Sequence, residues 1–295
     1  MNEGFMGTGV ALVTPFDSNK KIDFTALEKI VNHVINGGVE HLVVLGTTGE
    51  SATLDKEEKE AVVKAVVEIN KGRRSVVVGM GGNSTHQVVH TIEKTDFTGI
   101  DAILSVAPYY NKPSQEGIFE HFAAIAKASP VPVVLYNVPG RTASNISATT
   151  AVRLAEKYPN IIGVKEASGN FQQIMQIIKD KPDHFNVISG DDSFTVPMIH
   201  LGAKGVISVV ANSHPKGYSR MVRAALEGNR DRANTLQFSF LDLIQALFEE
   251  GSPAGVKATL ELMGLCKRHV RLPLTPASDK LIGKLKELIH IPEYS

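Results

Sequence analysis

The chain has 295 residues, 43% hydrophobic and 21% charged, with 31 basic and 31 acidic side chains. That is the composition of a globular protein large enough to bury its own core without staples. A net charge of zero leaves no electrostatic footprint for nucleic acid or an anionic membrane. A single cysteine, Cys266, excludes an internal disulfide framework and a CxxC pair and fits a reducing, cytoplasmic setting. No basic segment followed by a long apolar run occurs over Met1–Val13, and no apolar stretch reaches about 18 residues. Neither a signal peptide nor a membrane span is expected.

Eight short apolar runs occur in chain order: Gly9–Val13, His41–Leu45, Val76–Val78, Ala102–Val106, Val131–Tyr136, Ile161–Lys165, Asn186–Ser189 and Gly205–Val210. They are continuous rather than alternating, as strands covered on both faces of a parallel sheet are. Helical segments separate them. Asp55 is placed to cap a helix with Glu58 reaching back, and Ala61, Val62, Ala65, Val66 and Ile69 form its apolar stripe. Ser114 is placed to cap the next clear helix, which buries Ile118, Phe122 and Ile125. Ala148–Tyr158 and Phe171–Ile178 repeat the pattern. Each unit has roughly the size of a βα repeat, and eight of them predict a (β/α)8 barrel.

The repeat ends near Pro215, and only helical segments follow. One carries Leu236, Leu241, Ile244 and Phe248. Ser252-Pro253 reads as a cap and first turn, and Ser278 caps a last helix with Leu281, Ile282, Leu285 and Leu288. Residues 1–215 are therefore expected to form the barrel, and 216–295 a helical extension packed on it. No Gly-, Ser- or Pro-rich linker separates the two.

Barrel enzymes carry their chemistry at the C-terminal ends of the strands, so the polar residues ending each run are the candidates. Lys165 ends Ile161–Val164. A buried lysine is costly unless paired or neutral, and the neutral amine is the form a Schiff-base nucleophile requires; an ion pair with Glu166 is the alternative. Tyr136 ends Val131–Leu135, either as a proton carrier or as a buried tyrosine with one hydrogen bond. Gly46-Thr47-Thr48-Gly49-Glu50-Ser51 combines tight turning with hydroxyls and free amides, an anion cradle or a plain turn. It contains no lysine and is not a phosphate-binding P-loop. Arg141 is a bidentate carboxylate partner or a solvated loop arginine. Gly79–Asn83 matches no dinucleotide fingerprint, and the ten histidines show no HxxxH or HExxH spacing.

Three motifs, Gly46-Thr47-Thr48-Gly49-Glu50, Tyr136-Asn137-Val138-Pro139 and Gly163-Val164-Lys165-Glu166, occur in this order at strand ends. Together they resemble the dihydrodipicolinate synthase and N-acetylneuraminate lyase superfamily of pyruvate-dependent class I aldolases. The resemblance runs from Gly7 to about Pro276. Thr47-Thr48, Arg141 and Pro108-Tyr109-Tyr110-Asn111-Lys112-Pro113 resemble its synthase branch. The resemblance implies that Lys165 forms an imine with pyruvate and that Tyr136, Thr48 and Tyr110 form a proton relay. It further implies that Thr47 and Thr48 hold the pyruvate carboxylate and that Arg141 holds that of aspartate semialdehyde. Gly190 and Ile207 would line the substrate. Tyr110 would reach a neighbouring subunit in a homotetramer built as a dimer of dimers. Such chemistry needs no metal or organic cofactor, because the iminium is itself the electron sink. A sialate or 2-keto-3-deoxy-sugar-acid lyase would keep Lys165 and Tyr136 but is disfavoured by Arg141. A non-catalytic metabolite-binding barrel is disfavoured by the retained lysine, tyrosines and threonines.

Overall fold

The structure is a computed structural model that describes residues 5–290. Residues 1–4 of the expected leaderless N-terminus and 291–295 of the expected extension lie outside the described residues. Strands β1 (Gly7–Ala11), β2 (His41–Val44), β3 (Ser75–Gly79), β4 (Ala102–Val106), β5 (Val133–Asn137), β6 (Ile161–Glu166), β7 (Asn186–Ser189) and β8 (Gly205–Ser208) follow one another around a closed barrel. Helices α1 (Phe24–Asn36), α2 (Lys56–Asn70), α3 (Thr85–Lys94) and α4 (Gln115–Ala128) follow the first four strands. Next come α5 (Pro139–Thr142), α6 (Ala148–Lys157), α7 (Phe171–Asp180), α8 (Thr195–Leu201) and α9 (Pro215–Leu226), and then α10 (Arg230–Glu249), α11 (Ala254–Leu262) and α12 (Asp279–Leu288). This is a (β/α)8 barrel with a C-terminal helical extension. The helix completing the eighth repeat is α9, so a boundary at 215/216 falls at its first turn.

Contacts divide the chain into two compact units. One contains Val76–Ile207. Its strands are almost wholly buried, as their unbroken apolar runs require. At Gly163 and Gly81 close packing leaves no room for a side chain. A Cβ on Gly163 would lie 2.6 Å from the Asn186 carbonyl oxygen on β7, and one on Gly81 would lie 2.7 Å from the Val106 amide nitrogen. Helix α4 starts at the Ser114 cap, whose hydroxyl accepts from the Gly117 amide, and buries Ile118, Phe122 and Ile125 as the sequence predicts.

The other unit contains Gly7–Ser75 and the chain from Ser208 onward. Here α9 packs against β1, α1 and α10, and α10 packs against α11 and α12. The Asp55–Glu58 capping box on α2 and the Ser278 cap on α12 form as expected, each worth roughly 1 kcal/mol. Three local details differ from the sequence reading. On α2, Asn70 is buried while Ala61 is exposed. The Asn70 amide donates to the Arg74 carbonyl at 2.6 Å and accepts from its backbone amide at 3.0 Å, so its polar groups are satisfied. On α10, Phe240, Leu243 and Leu247 join Leu236 and Ile244 in the core, and Phe248 is exposed. Pro253, not Ser252, occupies the cap position of α11.

Between α3 and α4, His121 is buried. One ring nitrogen bonds the Thr85 hydroxyl at 2.8 Å, and the other has no partner among the described residues. Burial pushes its pKa down from 6.5 to about 4. The folded protein therefore refuses a proton that the unfolded chain accepts. Stability is whole above the unfolded value and falls as pH drops through that window, by up to roughly 3 kcal/mol. Urea unfolding between pH 7 and 4 should show this loss, and His121→Leu should flatten the profile; an unchanged pH slope in the variant would remove His121 as its source.

Candidate active site

The parallel register of β5 and β6 pairs Tyr136 with Lys165 and Asn137 with Glu166. Successive side chains of a strand point to opposite faces. The lysine and the glutamate beside it in sequence therefore diverge, and Lys165 shares a face with Tyr136. The Lys165 Nζ lies 4.3 Å from the centre of the Tyr136 ring. The lysine is only 7% exposed, yet no carboxylate among the described residues is within ion-pair distance of it. The Glu166 alternative is thus not realised.

Glu166 is occupied elsewhere. Its carboxylate accepts from the Asn137 side-chain amide at 3.0 and 3.2 Å, from the Ser168 backbone amide at 2.8 Å and from Gln173 at 3.1 Å. Asn137 also donates to Asn145 at 2.9 Å and accepts from the Ile146 amide at 2.9 Å. This network, buried at Asn137 and Glu166, ties together the ends of β5 and β6, the segment after α5 and the first turn of α7. It fixes the backbone from which Tyr136 and Lys165 project.

Gly190 directly follows β7. A Cβ there would meet the Ala167 Cβ at 2.7 Å and the Lys165 Cγ and Cε at 3.1 Å. Its missing side chain is therefore the space the lysine occupies. Ile207 is buried within β8. The Tyr136 hydroxyl has no hydrogen-bond partner among the described residues. Arg141 sits in α5 and is exposed, and its guanidinium pairs with no described carboxylate. Tyr110 is 87% exposed and has a backbone φ of 77°. A bulky residue held in the left-handed region while presenting its ring to solvent is a strained arrangement of the kind found at functional sites.

In the second unit, Thr47 and Thr48 lie on a tight turn after β2, with Thr48 buried and Thr47 exposed. Leu45 (φ 59°) and Glu50 (φ 52°) flank them in left-handed conformations. Among the described residues no group of three or more His, Cys, Asp or Glu side chains could hold a metal ion, and no helix is long and apolar enough to cross a membrane.

Residues 4–291 match the Dihydrodipicolinate synthetase family. The chain belongs to that family. A relative from Flavobacterium psychrophilum named 4-hydroxy-tetrahydrodipicolinate synthase is 52% identical over 283 residues, covering 96% of this chain and 97% of its own. One of the same name from Parabacteroides distasonis is 51% identical, covering 96% and 95%. The crystal structure of dihydrodipicolinate synthase from Aquifex aeolicus superposes with a TM-score of 0.93 at 42% identity, over 97% of each chain. The dihydrodipicolinate synthetase family thus accounts for the motifs at the strand ends.

Sequence reasoning missed two sets of residues in this family member. Asn137 and Glu166 stand in the quoted motifs, but nothing local in the sequence signals that Gln173 and Asn145 join them in one network. Lys257 did carry a local signal. It is a lone charge inside the apolar run Ala254–Leu260, the same anomaly that singled out Lys165. It is fully buried and ion-paired with Glu50 of the Thr47–Thr48 loop.

Gly190→Ala should disturb the lysine directly. A displacement of about 1 Å at a reacting group can cost about 10²-fold in rate. Reductive methylation of Lys165 by formaldehyde and borohydride, followed by peptide mass spectrometry, should slow by about tenfold or more in the variant. An unaltered labelling rate would mean that the lysine does not depend on the space at position 190.

Proposed function

We propose that this chain condenses pyruvate with L-aspartate 4-semialdehyde to form 4-hydroxy-tetrahydrodipicolinate, on the route to diaminopimelate and lysine. The observation that carries this reading is Lys165: a buried amine at the end of β6, without a carboxylate partner, against the Tyr136 ring. Its amine attacks the pyruvate ketone, and loss of water leaves an iminium. The positive nitrogen acidifies the methyl group, and removal of a proton gives a neutral enamine. The enamine carbon attacks the aldehyde, whose oxygen takes up a proton. The amino group of the second substrate then adds to the iminium carbon, expels Lys165 and closes the ring. Tyr136, Thr48 and Tyr110 carry the protons. Thr47 and Thr48 hold the pyruvate carboxylate, Arg141 holds the carboxylate of the aldehyde substrate, and Gly190 and Ile207 line the space between reactants. No metal or organic cofactor takes part.

Borohydride reduction in the presence of pyruvate should add a stable adduct to the peptide containing Lys165. An adduct on another lysine, or none, would sink the assignment.

The unpartnered Arg141 guanidinium favours a carboxylate-bearing aldehyde over the polyol aldehydes of sialate and sugar-acid lyases. Losing a charged hydrogen-bond partner costs about 1.5–3 kcal/mol. Arg141→Ala should raise KM for aspartate semialdehyde by roughly 10–10²-fold and leave KM for pyruvate nearly unchanged. Equal effects on both would count against this role.

Exposure and backbone strain at Tyr110 support its working in the site of a second subunit, within a cytoplasmic homotetramer built as a dimer of dimers. Mixed oligomers of inactive Lys165→Ala and Tyr110→Phe subunits should regain activity, because some sites in them combine an intact lysine with an intact tyrosine. Verified hybrids without recovery would confine the relay to one chain.

A further inference from the structure

We propose that Lys257 of the C-terminal extension is a positioning residue for the keto-acid substrate, acting through Glu50 on the loop that carries Thr47 and Thr48. The inference rests on the reading of that loop as the pyruvate-carboxylate cradle. Leu45 and Glu50, non-glycine residues on either side of the two threonines, both occupy the left-handed region. Conformations of this kind persist only where surrounding contacts over-determine them.

Those contacts converge on Glu50. Its carboxylate pairs with the Lys257 ammonium and accepts the Arg271 backbone amide at 3.0 Å. The Lys257 ammonium also donates to the His269 carbonyl at 2.8 Å and lies 4.1 Å from the centre of the buried Phe16 ring. The Arg271 guanidinium lies 4.5 Å from the same ring, donates to the Thr53 carbonyl at 2.9 Å and grips Glu58 with two bonds of 2.6 Å. From the segment that follows β1, the Thr14 hydroxyl donates to the Gly49 carbonyl at 2.7 Å. The two threonines thus sit on a turn clamped at its base by residues more than 200 positions away in sequence.

Lys257 has no route to a substrate. Its side chain is 0% exposed and that of Glu50 is 1% exposed. Its donors are turned to a carboxylate, a carbonyl and an aromatic face. Burial lowers the lysine pKa and the Glu50 charge opposes that. A buried pair of this kind is weak evidence of stabilisation, because desolvation offsets much of the attraction. Its geometric consequence is specific: it locks the residue adjoining the cradle. Loosening it should weaken pyruvate selectively, because Arg141, assigned to the other substrate, belongs to a different loop.

The test compares Glu50→Gln, Lys257→Met and the double variant Glu50→Gln/Lys257→Met with wild type. The double variant leaves no unpaired buried charge and serves if a single variant fails to fold. Folded variants should raise KM for pyruvate by about tenfold, equivalent to about 1.4 kcal/mol, with KM for aspartate semialdehyde within twofold. Amide hydrogen exchange in residues 46–53 should accelerate while that of β6 does not. Lys257→Arg, which keeps the charge, should restore part of the pyruvate affinity. Folded variants with wild-type pyruvate KM and wild-type exchange in the loop would overturn the proposal. Thr47→Val separates the two ideas. If it leaves pyruvate KM unchanged, the cradle reading fails, and loop exchange alone then decides whether Lys257 holds the turn. A general loss of affinity for both substrates would make the pair merely structural and would also overturn it.

Discussion

The alternation of side chains along β6, set against its register with β5, is the constraint on which the lysine site depends. Lys165 and Glu166 adjoin in sequence, and in a flexible chain they would pair. The strand sends them to opposite faces. Tyr136 and Asn137 are sorted in the same way on the neighbouring strand. The outcome is two environments one residue apart. On one face a lysine has an aromatic neighbour and no carboxylate; on the other a carboxylate is saturated by amide donors. A register slip of one residue would exchange the faces and put the carboxylate of Glu166, not the amine of Lys165, on the face of Tyr136.

The second unit meets an analogous problem with a different device. A turn carrying two hydroxyl side chains must hold an unfavourable backbone, and secondary structure offers little help because the segment makes only short, tight turns. The fold uses a fully desolvated charge pair instead. Removing two charges from water costs several kcal/mol per ion before their attraction is counted. Such pairs carry a direction and a distance that apolar packing lacks, and direction is what a strained turn needs. The segment from Lys257 to Arg271 delivers this clamp.

Family membership and local geometry bear on different questions. Similarity over 96% of the chain to proteins named 4-hydroxy-tetrahydrodipicolinate synthase establishes the lineage. The separation of Lys165 from Glu166 explains how an amine is kept clear of a carboxylate partner, and the exposed guanidinium of Arg141 pairs with no described carboxylate. A non-catalytic barrel would have no reason to keep a buried, unpaired lysine, which destabilises any fold that does not use it.

Local chemistry was legible in the sequence. Unbroken apolar runs marked all eight strands to within about two residues, because strands buried on both faces tolerate few polar residues. Asp55, Ser114 and Ser278 announced helix starts, because a cap is satisfied by amides two or three residues away. The motifs at the strand ends singled out Lys165, Tyr136 and the Thr47–Thr48 turn. What the sequence left open was every choice between two partners for one group. Whether Lys165 pairs with Glu166 depends on which face each takes. Whether Asn70 or Ile69 is buried depends on a bond to Arg74. Glu50 finds Lys257 across 207 residues. Pairings of that kind are decided only when the barrel brings distant segments together, because a side chain's partner is set by position in space and not by distance along the chain.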